Sequence, residues 1–427
     1  MFRISRYLKA IVESGNQTVA GRSDNGDSKR TRTQHGPISR GATGGGPVVI
    51  WNLIRRCNLT CKHCYATSAD IDFEGELSTE EIFSVMDDLK SCGVNVLILS
   101  GGEPMMHPDI YSIAARAKSM GFYVGLSSNG TLINADNIGR LVALDLNYVG
   151  VSLDGLKATH DRFRRRTGAF NEALAGIRLC LQHDLKVGLR FTLTADNEAD
   201  LPGLLSLMRQ EGIDKFYLSH LNYAGRGNKN RMSDSRHAMT RTSMDLLITH
   251  CLEDIVGGGE SEIVTGNNDA DGVYLFHWVQ RHMPDKAPQL RQLLEAWGGN
   301  SSGVNIANID NLGNVHPDTM WWDYTIGNVR QRKFGEIWQD TTDPLMAGLK
   351  CTIRPLKGRC SICRYRSICG GNSRTRAWQL TGDPWAEDPG CYLTDDEIGV
   401  SGLPPRLPLT PRIRESRRIP VPADPAI

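Results

Sequence analysis

Three cysteines lie within eight residues in the stretch RRCNLTCKHCYATSAD, at Cys57, Cys61 and Cys64. Cysteine thiolates hold iron–sulfur clusters, and a cubane of four irons usually takes four of them. No fourth cysteine lies near this stretch, so three thiolates would leave one iron open to an external ligand with amino and carboxylate groups. A structural zinc site is the alternative, but zinc would need a fourth Cys or His at a suitable spacing, and we expect His63 to point away.

A second group of four cysteines lies nearer the C-terminal end of the sequence. Its members are Cys360, Cys363, Cys369 and Cys391. Four thiolates complete a cluster without an open iron, although a site of four cysteines also suits zinc. Cys351 is a spare cysteine that could replace one of the four ligands.

Strands must position the first group. Six short apolar runs alternate with helical patterns, which predicts a parallel sheet covered by helices. The runs are PVVIWNLI, VNVLILS, FYVGLSS, YVGVSLD, KVGLRFTLT and KFYLSHL. Six units are two short of a closed barrel, so we expect a partial, laterally open (βα)6 TIM-like barrel. Between the first two runs, Ser78 and Glu81 predict a helix that begins with a capping box.

The rest of the chain divides by composition. We expect a flexible N-terminal segment, with a short amphipathic helix at its start, a barrel, a linker or helical connection, a smaller C-terminal module with a β-hairpin, and a Pro/Arg-rich extended tail. The flexible segment covers residues 1–46 and the barrel 47–260. The linker covers 261–300, the C-terminal module 301–398 and the tail 399–427.

The size and charge of the chain limit the classes of function that it can have. The chain has 427 residues with 49 basic and 48 acidic ones, a net charge of +1. This balance suggests neither nucleic acid nor an anionic membrane as a partner. Eleven cysteines in so long a chain favour an intracellular metal protein over a disulfide scaffold. No apolar run reaches the ~18 residues of a membrane span, and the start lacks a signal peptide's apolar centre. We therefore expect a cytoplasmic protein.

Several motifs follow the predicted strands at the edge where active sites of parallel α/β folds gather. The second strand ends in SGGEP, where Gly101 and Gly102 allow close approach of the backbone to a ligand and Glu103 can accept hydrogen bonds from an ammonium group. The fourth strand ends in VSLDG, with Ser152 and Asp154, although Asp-Gly is also typical of a simple turn. The basic run HDRFRRR over 160–166 is more typical of a solvated or helix-capping stretch.

The cysteine spacing with Tyr65 directly after it, and SGGEP on the next strand, resembles the signature of radical S-adenosylmethionine (SAM) enzymes. The resemblance implies that the SAM amine and carboxylate bind the open iron and that an electron from the cluster cleaves SAM to a 5′-deoxyadenosyl radical. It also implies the SAM-contacting residues: Tyr65, Gly101, Gly102, Glu103 (amine), Ser152 and Asp154 (ribose or methionyl surroundings) and Arg190 (carboxylate).

The second cysteine group is similar to the SPASM extension of this family, which in full holds two auxiliary 4Fe–4S clusters. Here Ser373 and Asp318 stand where the full pattern has cysteines. We therefore predict one auxiliary cluster, and two 4Fe–4S clusters in all.

Stretches such as VTGNNDADGVYLFHWV, NIDNLGNVHPDTMWW and QLTGDPWAEDPGCYL resemble the NirJ family of haem d1 biosynthesis. This resemblance implies removal of two propionate side chains from 12,18-didecarboxysirohaem, towards ring oxo groups, with an electron donor such as flavodoxin or ferredoxin. The candidate contacts to this tetrapyrrole fall into three groups. Aromatic rings could cover its faces, cationic side chains could pair with its carboxylates, and histidines could be axial ligands of its iron. They are Tyr223, Trp278, Trp321 and Trp322, then Arg226, Lys229 and Arg231, and then His220, His277 and His316. A peptide-modifying SPASM maturase, a related tetrapyrrole decarboxylase and a non-catalytic metal protein are the alternatives.

Overall fold

One eleven-stranded sheet runs through the computed structural model, which describes residues 1–13, 45–406 and 408–411. The strands are β1 (Phe2–Arg3), β2 (Val48–Ile54), β3 (Val96–Gly101), β4 (Tyr123–Ser128), β5 (Tyr148–Ser152), β6 (Val187–Leu193), β7 (Lys215–His220), β8 (Glu262–Gly266), β9 (Ile306–Ile309), β10 (Asn314–His316) and β11 (Gly327–Asn328). Their order across the sheet is β1-β8-β7-β6-β5-β4-β3-β2-β9-β10-β11.

Helices connect and follow these strands. They are α1 (Ile4–Glu13), α2 (Thr79–Ser91), α3 (Ile110–Ser119), α4 (Ile138–Ala143), α5 (Lys157–Arg164), α6 (Ala169–Gln182), α7 (Leu201–Gln210), α8 (Gly225–Lys229), α9 (His237–Val256), α10 (Ala270–His282), α11 (Ala287–Trp297), α12 (Phe334–Gln339), α13 (Pro344–Lys350), α14 (Arg359–Ile362), α15 (Arg366–Cys369), α16 (Arg374–Thr381) and α17 (Asp395–Ile398). The predicted capping box of α2 is confirmed, with Ser78 and Glu81 bonded in both directions.

The six predicted barrel strands are confirmed as β2 to β7, and each pairs in parallel with the next. In β7 buried and half-buried side chains alternate along the strand. This period of two is typical of a strand with one face against a core. The half-buried residues therefore line the inside of the open barrel, and the buried ones pack under the helices.

The segment predicted as a linker over 261–300 adds a seventh parallel strand. β8 pairs with β7 from Lys215↔Glu262 to Ser219↔Gly266. The run EIVTG is short and follows a glycine-rich turn, so its apolar signal is weak. The helical part of the prediction is confirmed, because α10 and α11 follow β8.

The start of the chain was predicted to be flexible, and that is wrong for residues 2–13. β1 pairs antiparallel with β8, and Ile4, Leu8 and Ile11 of α1 are fully buried. The helix itself agrees with the amphipathic pattern. The rest of the predicted flexible segment, residues 14–44, lies outside the described residues.

The C-terminal module continues the sheet beyond β2. β9 pairs in parallel with β2, and β9 and β10 form the predicted hairpin. The described part of the Pro/Arg-rich tail has no helix or strand, but it is anchored: Arg406 donates to the carbonyls of Cys391 and Leu393, at 2.6 Å each. Among the described residues no helix is long and apolar enough to span a membrane.

Candidate functional site

The first three cysteines come together in the loop that follows β2. Cys57 and Cys61 are buried and pack with Leu59 and Ala169, and half-buried Cys64 lies against them. Burial raises the pKa of the Cys57 thiol to about 12, and neighbouring Glu103 adds to the rise. Such thiols would stay protonated unless a metal ionised them. Their number and burial fit a cluster with three cysteine ligands.

Gly101 and Gly102 bring β3 against this loop. The Gly102 amide donates to Ile54 O at 2.6 Å, and the Glu103 amide donates to Arg56 O at 2.9 Å. A Cβ atom at Gly102 would lie 2.2 Å from Arg56 O, and one at Gly101 would lie 2.4 Å from Ile54 O. The close approach that the two glycines permit is therefore to the cysteine loop itself.

Glu103 is fully buried and ties β3 to the end of β4. Its carboxylate accepts from Ser128 Oγ at 2.8 Å, from the Asn129 amide at 2.7 Å and from the Met105 amide at 3.1 Å. Burial raises its pKa, against the lowering effect of these donors. Asn129 Nδ2 in turn donates to Asn58 Oδ1 at 2.8 Å, so the carboxylate also fixes the cysteine loop.

Tyr65 and Arg190 line the inside of the barrel. Asn52 Nδ2 donates to the Tyr65 hydroxyl at 2.9 Å. Arg190 donates to Ser127 Oγ, lies over the Tyr217 ring at 5.3 Å, and pairs in register with Ser152 on β5. The predicted SAM contacts Tyr65, Ser152 and Arg190 are thus half-buried on the inner face.

Asp154, predicted to lie near the SAM ribose or methionyl group, is paired with a buried arginine next to the cysteine loop. Its side chain is fully buried, with Oδ2 2.5 Å from Arg164 Nη2 and Oδ1 accepting from the Thr192 amide at 2.9 Å. Burial alone would raise its pKa, but Arg164 and the other partners hold it below its ordinary value. The carboxylate is the counter-ion of a buried arginine.

That arginine belongs to the run that we expected to be solvated. Arg164 is 6% exposed, and its Nη1 donates to Cys61 Sγ at 3.4 Å. His63 points away from the cysteines, as predicted, with Nε2 3.7 Å from Asp154 Oδ2, and burial lowers its pKa to about 4. The only feature of the sequence that could have indicated a buried Arg164 is the apolar Phe163 directly before it.

Arg226, predicted to bind substrate, instead braces the cysteine loop. Its Nε donates to Cys61 O at 2.7 Å and its Nη1 to Ser68 O at 2.8 Å. The backbone follows the same path, since the Arg226 amide donates to Cys64 O at 2.8 Å. These bonds join residues that lie more than 150 positions apart.

Two of the three histidines predicted as axial ligands, His220 and His316, are also engaged within the protein. His220 is 5% exposed and lies 3.0 Å from Asp271 Oδ2. His316 is 1% exposed, with Nδ1 2.8 Å from Tyr324 O and Nε2 3.3 Å from Asp310 Oδ2. Because both rings are buried and hydrogen-bonded, neither reaches a substrate iron.

Tyr223 and Trp321 are core residues rather than substrate contacts. The Tyr223 hydroxyl donates to Asp234 at 2.8 Å, and Trp321 packs against Tyr324 and Trp378. Half-buried Trp322, by contrast, lies parallel to the His316 ring at 6.2 Å and edge-on to Tyr65 at 5.8 Å. Trp322 is the predicted aromatic that borders the site.

The second cysteine group lines one cavity in the C-terminal module. All four members face it, together with Arg359, Arg366 and Arg406. Burial and the other three thiols raise the pKa of Cys369 well above its ordinary value. The described residues contain no group of three His, Cys, Asp or Glu side chains placed to hold a single metal ion. Cys351 is exposed and does not line the cavity.

The two positions that lack a cysteine have partners of their own. Ser373 caps α16, and its Oγ accepts from Asn222 Nδ2 at 3.1 Å. Asp318 accepts from Ser302 Oγ and from the Met320 amide. Neither side chain lines the cavity of the second cysteine group.

Comparison with known proteins agrees with this geometry. The model of the Radical SAM superfamily matches residues 51–208. Pre-heme d1 synthase of Dinoroseobacter shibae is 53% identical over 88% of this chain and 93% of its own length. Fe-coproporphyrin III synthase of Methanosarcina barkeri is 42% identical over 93% of this chain and 99% of its own length.

Solved structures share the fold. Streptococcus suis SuiB bound to S-adenosylmethionine superposes with a TM-score of 0.63 at 16% identity, over 82% of this chain and 78% of SuiB. Native anSMEcpe with bound AdoMet gives a TM-score of 0.61 at 15% identity, over 80% of this chain and 93% of the other. With the near-complete match to pre-heme d1 synthase, these findings show that the chain belongs to the radical SAM superfamily and is a radical SAM enzyme of the family that contains pre-heme d1 synthase.

Proposed function

We propose that this enzyme acts in haem d1 biosynthesis and removes two propionate side chains from 12,18-didecarboxysirohaem. The observation that carries the proposal is the 53% identity to pre-heme d1 synthase over 88% of the chain. This match extends well beyond residues 51–208 of the superfamily core.

Cys57, Cys61 and Cys64 would hold the SAM cluster, and Tyr65, Gly101, Gly102, Glu103, Ser152 and Arg190 would surround SAM. SAM held at the open iron would supply a 5′-deoxyadenosyl radical able to take a hydrogen atom from a propionate carbon, and the C–C bond that joins the side chain would then break. Arg190 supports this assignment because its cationic group lies on the inner face beside Ser127 and Tyr217. A guanidinium there suits a carboxylate of SAM.

The macrocycle would enter from the open side and rest on the aromatic edge formed by Tyr65 and Trp322. Flat π-systems pack well against such rings. The edge is held rigidly, because Tyr65 is bonded to Asn52, and Asn308 Nδ2 donates to Asn52 Oδ1 at 2.6 Å. A matched test is Trp322→Ala against Trp278→Ala, because the Trp278 ring stacks on His282 of the same helix, α10, at 4.0 Å. We expect only the first to weaken tetrapyrrole binding.

Cys360, Cys363, Cys369 and Cys391 would hold an auxiliary 4Fe–4S cluster. Four half-buried cysteines that line one cavity support this assignment, and the cluster would relay an electron or hold the module in place. In a variant with Cys57, Cys61 and Cys64 changed to Ala, about four irons per chain should remain. Zinc instead of iron at the four remaining cysteines would contradict the auxiliary cluster. It would not contradict the proposed SAM site.

A related decarboxylase is the second candidate, because Fe-coproporphyrin III synthase matches over 99% of its own length. The test is anaerobic incubation with 12,18-didecarboxysirohaem, SAM and a low-potential donor such as flavodoxin or ferredoxin, followed by mass spectrometry. Loss of both propionate side chains supports the proposal. A product that keeps these side chains and has lost only CO₂ elsewhere would assign the chain to the decarboxylases. Unchanged tetrapyrrole beside a modified peptide would assign it to the maturases.

A further inference from the structure

The buried ion pair between Arg164 and Asp154 lies directly against one ligand of the SAM cluster. Arg164 Nη1 donates to Cys61 Sγ at 3.4 Å, and Nη2 is 2.5 Å from Asp154 Oδ2. Both side chains are almost inaccessible to water, at 7% and 1% exposed. The guanidinium therefore acts on the thiolate with little screening by solvent.

The surroundings fix this pair in one arrangement. Asp154 Oδ1 accepts from the Thr192 amide at 2.9 Å, and its carbonyl accepts from Asn197 Nδ2 at 3.1 Å. Arg164 lies in the last turn of α5, where the helix dipole favours a cation.

We infer that Arg164 and Asp154 together set the reduction potential of the SAM cluster. A reduced cluster carries one more negative charge, so a nearby cation and an N–H···S bond both stabilise the reduced form and raise the potential. Asp154 opposes this effect by partly neutralising the guanidinium. The pair would hold the potential between a value too low for the donor to reach and one too high to cleave SAM.

This inference rests on the three-cysteine cluster of the proposed function, and its test needs no tetrapyrrole. The midpoint potential is measured by EPR-monitored redox titration of the full chain, with the SAM cluster identified by the change in its signal when SAM is added. Arg164→Gln should shift the potential to more negative values. Asp154→Asn should shift it in the opposite direction, and Arg164→Lys, which keeps the charge, should fall between wild type and Arg164→Gln. Arg162→Gln changes an exposed arginine of the same helix and should leave the potential unchanged.

Two results would overturn the inference. One is a set of potentials that agree with wild type while iron content is retained. The other is loss of the SAM-responsive cluster from all three variants while their circular dichroism is unchanged, since the pair would then hold the loop and not tune the cluster. A wild-type chain with no SAM-responsive signal would instead contradict the proposed SAM site itself.

Discussion

At the scale of single residues, the chemistry of the site depends on side chains that are not ligands. The cysteine loop is held from outside by Arg226, whose guanidinium donates to the carbonyls of Cys61 and Ser68. Glu103 performs a similar task from the other side, through Ser128 and Asn129. Both groups are charged and paired with backbone or side-chain partners, so removing either leaves unpaired groups in a poorly solvated region.

We expect Arg226→Gln to reduce the occupancy of the SAM cluster several-fold. Each lost charge-assisted hydrogen bond to the loop is worth about 1.5–3 kcal/mol. Lys229→Gln is the matched control, because Lys229 lies on the same short helix and is exposed. Iron per chain, measured after anaerobic reconstitution, distinguishes them. Equal iron in both variants would contradict the bracing role.

Glu103→Gln should weaken SAM binding by roughly tenfold. The amide side chain of this variant would turn an N–H group towards N–H and O–H donors whose hydrogen bonds the Glu103 carboxylate accepts. A buried donor without an acceptor costs about 1–3 kcal/mol. SAM affinity is measured by calorimetry on the reconstituted protein, beside Glu74→Gln, which changes an exposed carboxylate of the preceding loop. Wild-type affinity in Glu103→Gln would contradict both the positioning role and the proposed contact to SAM.

Cys57, Cys61, Cys64 and Tyr65 were found from the sequence because their spacing is local and chemically specific. The roles of Arg164 and Arg226 beside the cysteine loop were not predictable, because their partners lie 103 and 165 positions away in the chain. His316 and Trp321 were assigned to substrate because their residue types suit it. Burial decided against them, and a residue's burial depends on the whole packing.

At the scale of elements, helix α2 joins the barrel to the C-terminal module. Glu81 closes the capping box of α2 and also accepts from Arg330, which lies beyond β11. The hydrogen bonds from Arg330 and from the Ser78 amide lower the pKa of Glu81 to about 2. The pair is exposed, so its contribution to stability is small.

Glu81→Ala should lower the free energy of unfolding by about 1 kcal/mol, most of it from the lost cap. Because the folded-state pKa is depressed, this contribution is full above the ordinary value of 4.5 and disappears as the pH falls towards 2. Urea unfolding of wild type and variant across this range measures the difference. Glu80→Ala, in the same first turn and exposed, serves as the control. A difference that persists at the lowest pH would contradict the assigned cause.

The tail beyond α17 closes the second cysteine cavity. Arg406 lies in that cavity and donates to the carbonyls of Cys391 and Leu393. Removal of residues 401–427 should therefore release about four irons from the auxiliary site. Removal of residues 412–427 alone should retain them, since Arg406 stays in place. The iron content of both truncated chains checks this. Wild-type iron content in the chain that lacks residues 401–427 would show that the tail does not protect the site.

Elements were predictable where their signals were strong. β2 to β7 carry apolar runs of ordinary length, and the caps of α2 are chemically distinct. β1 has two residues and β8 has five. Each is stabilised by pairing with the other, a long-range effect that no local pattern reports.

At the scale of the whole molecule, one sheet links the two cysteine sites. β9 pairs directly with β2, the strand that leads into the cysteine loop. Arg376 bridges the two parts from the module side: it pairs with Asp388 and donates to the carbonyls of Leu221 and Asn267. Such a connection would keep the two proposed clusters at a fixed separation. The fold class was predictable, but the pairing of β9 with β2 was not.

In the function that we propose, the radical takes a hydrogen atom from a propionate side chain of the tetrapyrrole. The most direct measurement uses 12,18-didecarboxysirohaem that carries deuterium in the propionate groups, with SAM, reductant and the reconstituted enzyme. We predict that deuterium appears in 5′-deoxyadenosine and that two molecules of it form for each product. Formation of 5′-deoxyadenosine without deuterium, while the tetrapyrrole is consumed, would contradict the claim.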